Sequence, residues 1–165
     1  MQACGVEIAK MGLVLTTNEL CELVVALKAE GKKIVTTNGC FDLLHVGHVR
    51  FLKAARALGD VLIVGMNTDA SVSKLKGEKR PVQREDDRAE ILSSLACVDY
   101  VCLFAEDTPV ELLKLIKPAV HAKGADYKPS DLAETPIVEA GGGKMAIIDL
   151  VPGRSTTNIV NRLAE

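Results

Sequence analysis

Five short apolar runs, separated by segments with helical spacing, are the feature that most constrains the fold of this chain. The runs lie at residues 34–37, 61–66, 100–104, 119–122 and 145–151. Each run is too short for a helix and is bounded by turn residues. We therefore predict that each forms a β-strand.

The segments around these runs have the spacing of amphipathic helices. They predict helices at about 46–58, 69–75, 85–96, 108–116 and 155–164. A further helix over about 18–30 is indicated by Thr16 and Glu19, which form a capping-box signature ahead of an apolar run. Strands that alternate with helices form right-handed βαβ units. The sequence thus predicts an α/β fold, a Rossmann-like open sheet of about five parallel strands with helices on both faces.

The length of the chain fits a single domain. Its 165 residues contain no visible domain boundary, so we assign 1–165 to one domain with a core at about 33–163, preceded by the helix at about 18–30.

Open parallel sheets bind ligands beyond the carboxyl ends of their strands. The loops after the strands are therefore the candidate sites.

Composition limits the kinds of partner. Apolar residues make up 48% of the chain and the formal net charge is only -2, so we expect neither disorder nor a basic field that attracts nucleic acid or membrane. The five cysteines form no C-x-x-C pair, which favours reduced thiols. The apolar patch at 11–15 is too short for a signal-peptide core or a membrane span. These features predict a cytoplasmic protein that binds its ligands in a pocket.

His45 and His48 carry the strongest functional signal. They lie three residues apart after the first core strand, at the predicted start of a helix. On a first helical turn they would share one face, where free N–H groups and the helix dipole favour an anion. Gly47 would let a base or ribose approach the helix, and Gly39 would allow the bend after the strand. We predict that this loop binds a phosphate.

Two other interpretations of these histidines stay open. They could cap the helix and make ordinary hydrogen bonds. They could also bind a metal, although the third histidine, His121, is distant along the chain and no H-E-x-x-H arrangement is present.

Residues 153–158 form a second candidate phosphate loop, ahead of the last predicted helix. Ser155, Thr156 and Thr157 offer hydroxyls and helix N–H groups to β- and γ-phosphates, although a plain N-cap would have the same sequence. Both phosphate loops follow strands and so open on one edge of the sheet. This arrangement suits a triphosphate.

Two further loops add charge and hydrogen-bonding groups. The basic segment 74–80, with Lys76 and Arg80, is either a solvated face or a mobile lid that neutralises phosphates in the transition state. After the fourth strand, Asp126 can accept hydrogen bonds from ribose hydroxyls, and Tyr127 can lie against a base.

Motifs for other chemistries are missing. The sequence contains no recognisable nucleophile and base pair, no G-x-x-x-x-G-K-[ST] loop and no G-x-G-x-x-G fingerprint. A phosphate monoester that attacks an α-phosphoryl group needs none of these because it is already an anion. The residues therefore fit in-line nucleotidyl transfer without a covalent enzyme intermediate, in which catalysis consists of positioning and charge stabilisation.

Three segments together resemble a known superfamily. The loop 39–48, the Asn67-Thr68-Asp69 segment and the triplet 155–157 resemble the cytidylyltransferase-like nucleotidyltransferases with the H-x-G-H motif. Within that superfamily, segments 37–45, 76–81, 123–127 and 155–158 resemble the bacterial D-glycero-β-D-manno-heptose 1-phosphate adenylyltransferases, over about 18–163. The resemblance implies that ATP and heptose 1-phosphate give ADP-heptose and pyrophosphate, for a cell-surface glycan, with Mg²⁺ bound mainly through the ATP phosphates.

The loops and the resemblance together give a set of predicted site residues. The predicted catalytic residues are His45, His48, Lys76 and Arg80. The predicted nucleotide contacts are Gly39, Cys40, Phe41, His45, Gly47, His48, Lys123, Gly124, Asp126, Tyr127, Ser155, Thr156 and Thr157. The predicted sugar-phosphate contacts are Asp42, Asn67, Asp69, Arg88 and Arg154. Arg154 would replace an arginine that several relatives place a few residues before the Ser-Thr-Thr triplet, and no protein metal site is predicted.

In the family that the chain resembles, domains of this kind are often fused behind a sugar kinase, and the length of this chain leads us to expect the freestanding form. Because relatives are usually dimers, the resemblance also implies a homodimer. The nearest rival is a cytidylyltransferase for glycerol 3-phosphate or phosphoethanolamine, against which Tyr127 argues because some of those enzymes carry tryptophan there. A non-catalytic nucleotide-binding module with the same sheet is a rival of another class.

Overall fold

Parallel strands form one sheet in the computed structural model, which describes residues 12–149, 153–154 and 156–163. The strands within these ranges are β1 (Leu13–Leu15), β2 (Ile34–Gly39), β3 (Val61–Asn67), β4 (Tyr100–Phe104), β5 (Val120–Gly124) and β6 (Lys144–Ile148). They lie in the order β1-β4-β3-β2-β5-β6, and each neighbouring pair is parallel. The predicted Rossmann-like α/β sheet is confirmed, with one strand more than expected.

The helices follow the predicted alternation closely. They are α1 (Thr17–Ala29), α2 (Val46–Arg56), α3 (Asp69–Lys76), α4 (Glu85–Ser93), α5 (Val110–Ile116), α6 (Thr135–Ala140) and α7 (Thr156–Leu163), with a 3-10 turn at Pro129–Asp131. The capping box of α1 is confirmed, because the Glu19 N–H donates to the Thr16 hydroxyl and the Glu19 carboxylate accepts from the Thr16 N–H. No helix in the described ranges is both long and apolar enough to cross a membrane.

Side chains of the central strands alternate between two apolar cores, one on each face of the sheet. Val35 and Leu62 pack in the core that includes Leu52 of α2. Ile34 and Ile63 pack in the opposite core, with residues of α1 and α5. Since period-two alternation places i and i+2 on one face, α2 and α5 cover opposite faces of the sheet.

The order of the strands places a crevice beside β2. From β2 the chain runs through β3 to β4, and then returns to β5 on the other side of β2. The loops that follow β2 and β5 therefore diverge to opposite sides. This is the topological switch point at which open α/β sheets bind ligands.

Candidate active site

A cavity of about 730 Å³ opens at this switch point. Its wall includes the end of β2, the start of α2, the end of β5 and the segment around Thr156. The loops singled out in the sequence are thereby brought to one edge of the sheet. The predicted site residues that line the cavity are Gly39, Cys40, Phe41, Asp42, His45, Gly47, His48, Asn67, Lys76, Lys123, Gly124, Asp126, Tyr127, Arg154 and Thr156.

The two histidines lie side by side at the amino end of α2. His45 is the N-cap residue, and its Nδ1 accepts a hydrogen bond from the Gly47 N–H at 3.1 Å. Its ring stacks on that of His48 with centroids 3.9 Å apart, and the Phe41 ring is tilted relative to that of His48, with centroids 5.2 Å apart. The capping interpretation therefore holds for His45, while both imidazoles also face the cavity.

His48 is the more buried of the pair. Burial, with smaller effects from His45 and Lys76, lowers the pKa of His48 to about 4. Its Nδ1 is buried and has no hydrogen-bond partner in the part of the chain that the structure describes. His48 is thus a neutral imidazole near neutral pH, with hydrogen-bonding capacity left over for a ligand.

Gly47 lies close against the His45 ring. A Cβ atom there would lie 2.8 Å from both Nδ1 and Cε1 of His45, closer than real contacts allow. The missing side chain lets the His45 ring fold back over the first turn of α2. Access for a base or ribose, which was the predicted reason for this glycine, is not needed to explain it.

Asp42 anchors a loop, and its predicted contact with the sugar phosphate stays a prediction. Its carboxylate is fully buried and forms an ion pair with Arg80. It also accepts hydrogen bonds from the N–H groups of Val82 at 2.7 Å and Gln83 at 3.2 Å. Because these donors use the carboxylate, Asp42 ties the segment after α3 to the histidine loop.

The predicted lid is therefore divided into two parts. Arg80 is held by Asp42 and is not among the cavity-lining residues, which corrects its predicted place in a mobile catalytic lid. Lys76 is exposed, lines the cavity and is close enough to His48 to lower its pKa. Lys76 is thus the cation of this loop that can reach a ligand.

Arg88 and Asp69 pair with each other away from the cavity wall, which corrects their predicted contact with the sugar phosphate. The Arg88 guanidinium is buried and donates to the Asp69 carboxylate at 2.6 Å. It also donates to the backbone carbonyls of Cys40, Asn67 and Gln83. Arg88 consequently joins the loops after β2 and β3 to the segment before α4.

Asn67 lies on the cavity wall but is mostly buried. Its amide nitrogen donates to the Ser71 hydroxyl at 3.0 Å, and its oxygen lies 3.9 Å from the Cys40 sulfur. The Cys40 thiol is free. The structure therefore keeps Asn67 and Cys40 available as candidate contacts, with limited exposure.

Lys123, at the end of β5, sits in a buried polar cluster. Its Nζ lies 2.8 Å from the Glu134 carboxylate, donates to the Asn38 side-chain oxygen at 2.8 Å, and is 5.1 Å from the centre of the Tyr127 ring. Sequence reasoning missed Glu134, which lines the cavity and is only 4% exposed. A lone glutamate before a short helix carries no motif that identifies it.

The second phosphate loop is described in part. The Thr156 hydroxyl donates to the Leu43 carbonyl at 3.2 Å, which joins the start of α7 to the histidine loop. Arg154 is exposed and lines the cavity. Ser155 and the side chain of Thr157 lie outside the described part of the chain.

We searched for side chains that could bind a metal ion within the part of the chain that the structure describes. Among the described residues, no group of three or more His, Cys, Asp or Glu side chains is arranged to hold one. The cavity instead combines neutral imidazoles, a helix amino end and cations, which suits a phosphorylated ligand.

The cavity and the sheet define a nucleotide-binding α/β protein of the H-x-G-H type. The chain belongs to the cytidylyltransferase-like family, whose sequence model matches residues 36–159. It is accordingly a nucleotidyltransferase.

Curated relatives are much longer than this chain. The "bifunctional protein HldE" of Trichlorobacter lovleyi is 52% identical over 146 residues, which cover 88% of this chain and 30% of the relative. The protein of the same name from Aliarcobacter butzleri is 53% identical over 150 residues, covering 91% of this chain and 31% of the relative. The chain thus spans about a third of the length of these relatives.

Two solved structures share the architecture. The lipopolysaccharide core biosynthesis protein of Thermoplasma volcanium matches with a TM-score of 0.60 and 28% identity, covering 73% of this chain and 98% of that protein. The pantoate-beta-alanine ligase of Francisella tularensis matches with a TM-score of 0.64 and 17% identity, covering 88% and 69%. The second likeness supports the fold alone.

Proposed function

We propose that the chain transfers AMP from ATP to D-glycero-β-D-manno-heptose 1-phosphate and releases pyrophosphate. The observation that carries the proposal is the stacked His45 and His48 pair at the amino end of α2, with a buried, unpartnered nitrogen on His48 among the described residues. The heptose substrate is supported by the resemblance of segments 37–45 and 123–127 to heptose 1-phosphate adenylyltransferases. A structural relative described as a lipopolysaccharide core biosynthesis protein supports the same substrate class.

The proposed step is one in-line displacement. A phosphate oxygen of the sugar phosphate forms a bond to the α-phosphorus of ATP. The bond from that phosphorus to the oxygen bridging to the β-phosphorus breaks, and pyrophosphate leaves with the electron pair. No proton transfer or covalent enzyme intermediate is required, so the protein acts by orienting the reactants and stabilising charge.

We assign a role in binding the reactants or stabilising charge to each part of the cavity. The free N–H groups of the first turn of α2 and the neutral His48 imidazole donate to the transferring phosphoryl group. Lys76 adds positive charge beside His48, and Arg154 adds it near the start of α7. Asp126 and the half-exposed Tyr127 are proposed to contact the ribose and base.

Mg²⁺ is proposed to arrive on the triphosphate. The described residues form no cluster of metal ligands, and Mg²⁺ in such enzymes takes most of its ligands from phosphates and water. When bound, the ion would neutralise phosphate charge during transfer. A requirement for Mg²⁺, the freestanding form and a homodimer all stay predictions.

A substrate panel tests the proposal. Pyrophosphate release is measured with ATP and with CTP, each against heptose 1-phosphate, glycerol 3-phosphate and phosphoethanolamine. We expect kcat/KM to be highest for ATP with heptose 1-phosphate. Comparable values for the two triphosphates would contradict the adenylyl assignment, and ATP binding without turnover on any acceptor would contradict the transfer itself.

A further inference from the structure

The side chain of Thr37 carries a buried hydroxyl group. Thr37 is 1% exposed and lies near the carboxyl end of β2, on the cavity wall. Its Oγ1 has no hydrogen-bond partner among the residues that the structure describes. Buried hydroxyls are nearly always paired, and an unpaired one destabilises the folded state.

The neighbouring threonine shows the ordinary arrangement. Thr36 is also buried, but on the opposite face of β2, where its Oγ1 lies 2.8 Å from Nδ1 of His121. Two adjacent threonines of one strand therefore differ: the Thr36 hydroxyl is paired inside the protein, whereas the hydroxyl of Thr37, a cavity-lining residue, has no partner among the described residues.

Thr37 shares its side of the sheet with His48. Strand alternation places Thr37 on the same face as Val35, which packs in the core with Leu52 of α2. His48 lies one helical turn before Leu52 and so projects from the same stripe of α2. The unpartnered atoms Thr37 Oγ1 and His48 Nδ1 thus both belong to the layer between β2 and α2.

The other face of β2 carries a different part of the cavity. Asn38 lies on that face, and its side chain is bonded to Lys123, which is in turn paired with Glu134. Those polar groups satisfy one another. Among the described residues that line the cavity, the buried side-chain atoms without a hydrogen-bond partner are therefore those of Thr37 and His48, on the α2 side of β2, where a helix amino end favours an anion.

We propose that the Thr37 hydroxyl is a substrate contact that donates a hydrogen bond to an oxygen of the transferring phosphoryl group, beside His48. A phosphoryl oxygen accepts and never donates, so it matches a hydroxyl donor in a cavity that also holds helix N–H groups. The bound ligand then satisfies a group that the protein alone leaves unpaired. This inference rests on the proposed nucleotidyl transfer and assigns a residue to the same site.

Substitutions that remove or retain the Thr37 hydroxyl test the contact. Thr37→Val keeps the shape of the side chain, Thr37→Ala removes the hydroxyl without adding a methyl group, and Thr37→Ser retains the hydroxyl. We expect Thr37→Val to keep or raise the melting temperature, because it removes an unpaired buried group. We expect kcat/KM for pyrophosphate release to fall and the Kd for ATP to rise, each by about tenfold, the scale of one hydrogen bond to a charged group. Thr37→Ala should behave similarly in both assays, and Thr37→Ser should restore most of the loss.

Thr36→Val is the matched control, since it removes the paired hydroxyl one residue away. It should lower the melting temperature and leave kcat/KM per folded molecule near that of the wild type. Wild-type kcat/KM and ATP affinity in Thr37→Val and Thr37→Ala would overturn the inference, as would losses that only follow the folded fraction. A wild-type protein that binds ATP but releases no pyrophosphate would refute the proposed function instead, and the ATP affinities of the Thr37 variants would then decide whether Thr37 contacts the phosphate.

Discussion

His45 and His48 belong to one motif, but their rings differ in hydrogen bonding and therefore in function. The Nδ1 atom of His45 is occupied by the Gly47 N–H, so this ring is fixed as part of the helix cap. His48 contacts the rings of both Phe41 and His45 and keeps its Nδ1 unpartnered within the described chain. At the scale of single residues, His48 is therefore the histidine of the pair that keeps hydrogen-bonding capacity for a ligand.

Replacing His48 with alanine should separate catalysis from stability. We expect His48→Ala to lower kcat by about a hundredfold or more, the usual effect of losing one preorganised donor to a developing charge. The Kd for ATP should change much less, because helix N–H groups and cations share the ground-state contacts. Steady-state kinetics, ATP titration and thermal unfolding on one purified variant measure all three quantities.

The pH profile gives this prediction a second readout. Burial lowers the pKa of His48 to about 4, so the free enzyme should show no His48 titration near pH 6.5 in kcat/KM.

A stable His48→Ala enzyme with near-normal kcat would contradict the catalytic assignment. A lower melting temperature with activity that only tracks the folded fraction would point to a structural histidine.

At the scale of elements, the segment that follows α3 is fixed at its carboxyl end by contacts with Asp42. Asp42 binds Arg80 and two backbone N–H groups beyond it, while Lys76 at the end of α3 remains exposed. Closure of this segment over a ligand is therefore limited to the part between Lys76 and Arg80. We predicted both residues to belong to one lid, but we now expect them to respond differently to substitution.

The pair Lys76→Ala and Arg80→Ala tests this division. Lys76→Ala should lower kcat with an unchanged melting temperature, since an exposed lysine contributes little to folding. Arg80→Ala should reduce the free energy of unfolding by about 3 kcal/mol, because it leaves the buried Asp42 carboxylate without its cation. Chemical denaturation and turnover are measured for both variants. Equal loss of kcat with no loss of stability in either would restore the mobile-lid interpretation for Arg80.

The elements that the sequence missed were those stabilised only by distant contacts. β1 has three residues and no detectable period, and it forms because Leu13 to Leu15 pair with Tyr100 to Cys102 of β4. By contrast, α1 carried its own capping box and the longer strands carried apolar runs bounded by turns. Local signals of this kind can be read from a single sequence, whereas the pairing of a short edge strand depends on the rest of the sheet.

The same limit applies to the site. The sequence located the histidine loop and the Lys123 segment because strand ends converge on one edge in this fold. It could not tell which charged residues would pair inside the protein, so Asp42, Arg80, Asp69 and Arg88 were assigned to ligands although they bind one another or the backbone. Glu134 was missed because its partner, Lys123, is brought to it only by the folding of the chain.

On the scale of the whole molecule, buried neutral histidines link stability to pH. His121 is completely buried, and burial, with a smaller effect from Lys123, lowers its pKa to about 3. The unfolded chain takes up a proton on this residue below about pH 6.5, but the folded chain resists protonation until about pH 3. This contribution to stability is fully present above pH 6.5 and is lost as the pH falls from there toward 3.

Acidification from pH 7 to pH 5 should therefore destabilise the protein before its carboxylates titrate. The chain contains only three histidines, and the pKa of each is lowered in the fold, so few other groups change charge in this window. His121 alone should account for roughly 2 kcal/mol at pH 5, an order-of-magnitude figure from the linkage of proton binding to unfolding. His121→Asn keeps a side chain able to hydrogen bond to Thr36 while removing the titrating ring. Denaturant titrations at both pH values should show a smaller loss of unfolding free energy in this variant than in the wild type. An identical loss in the two proteins would show that a folded-state pKa near 3 does not describe His121.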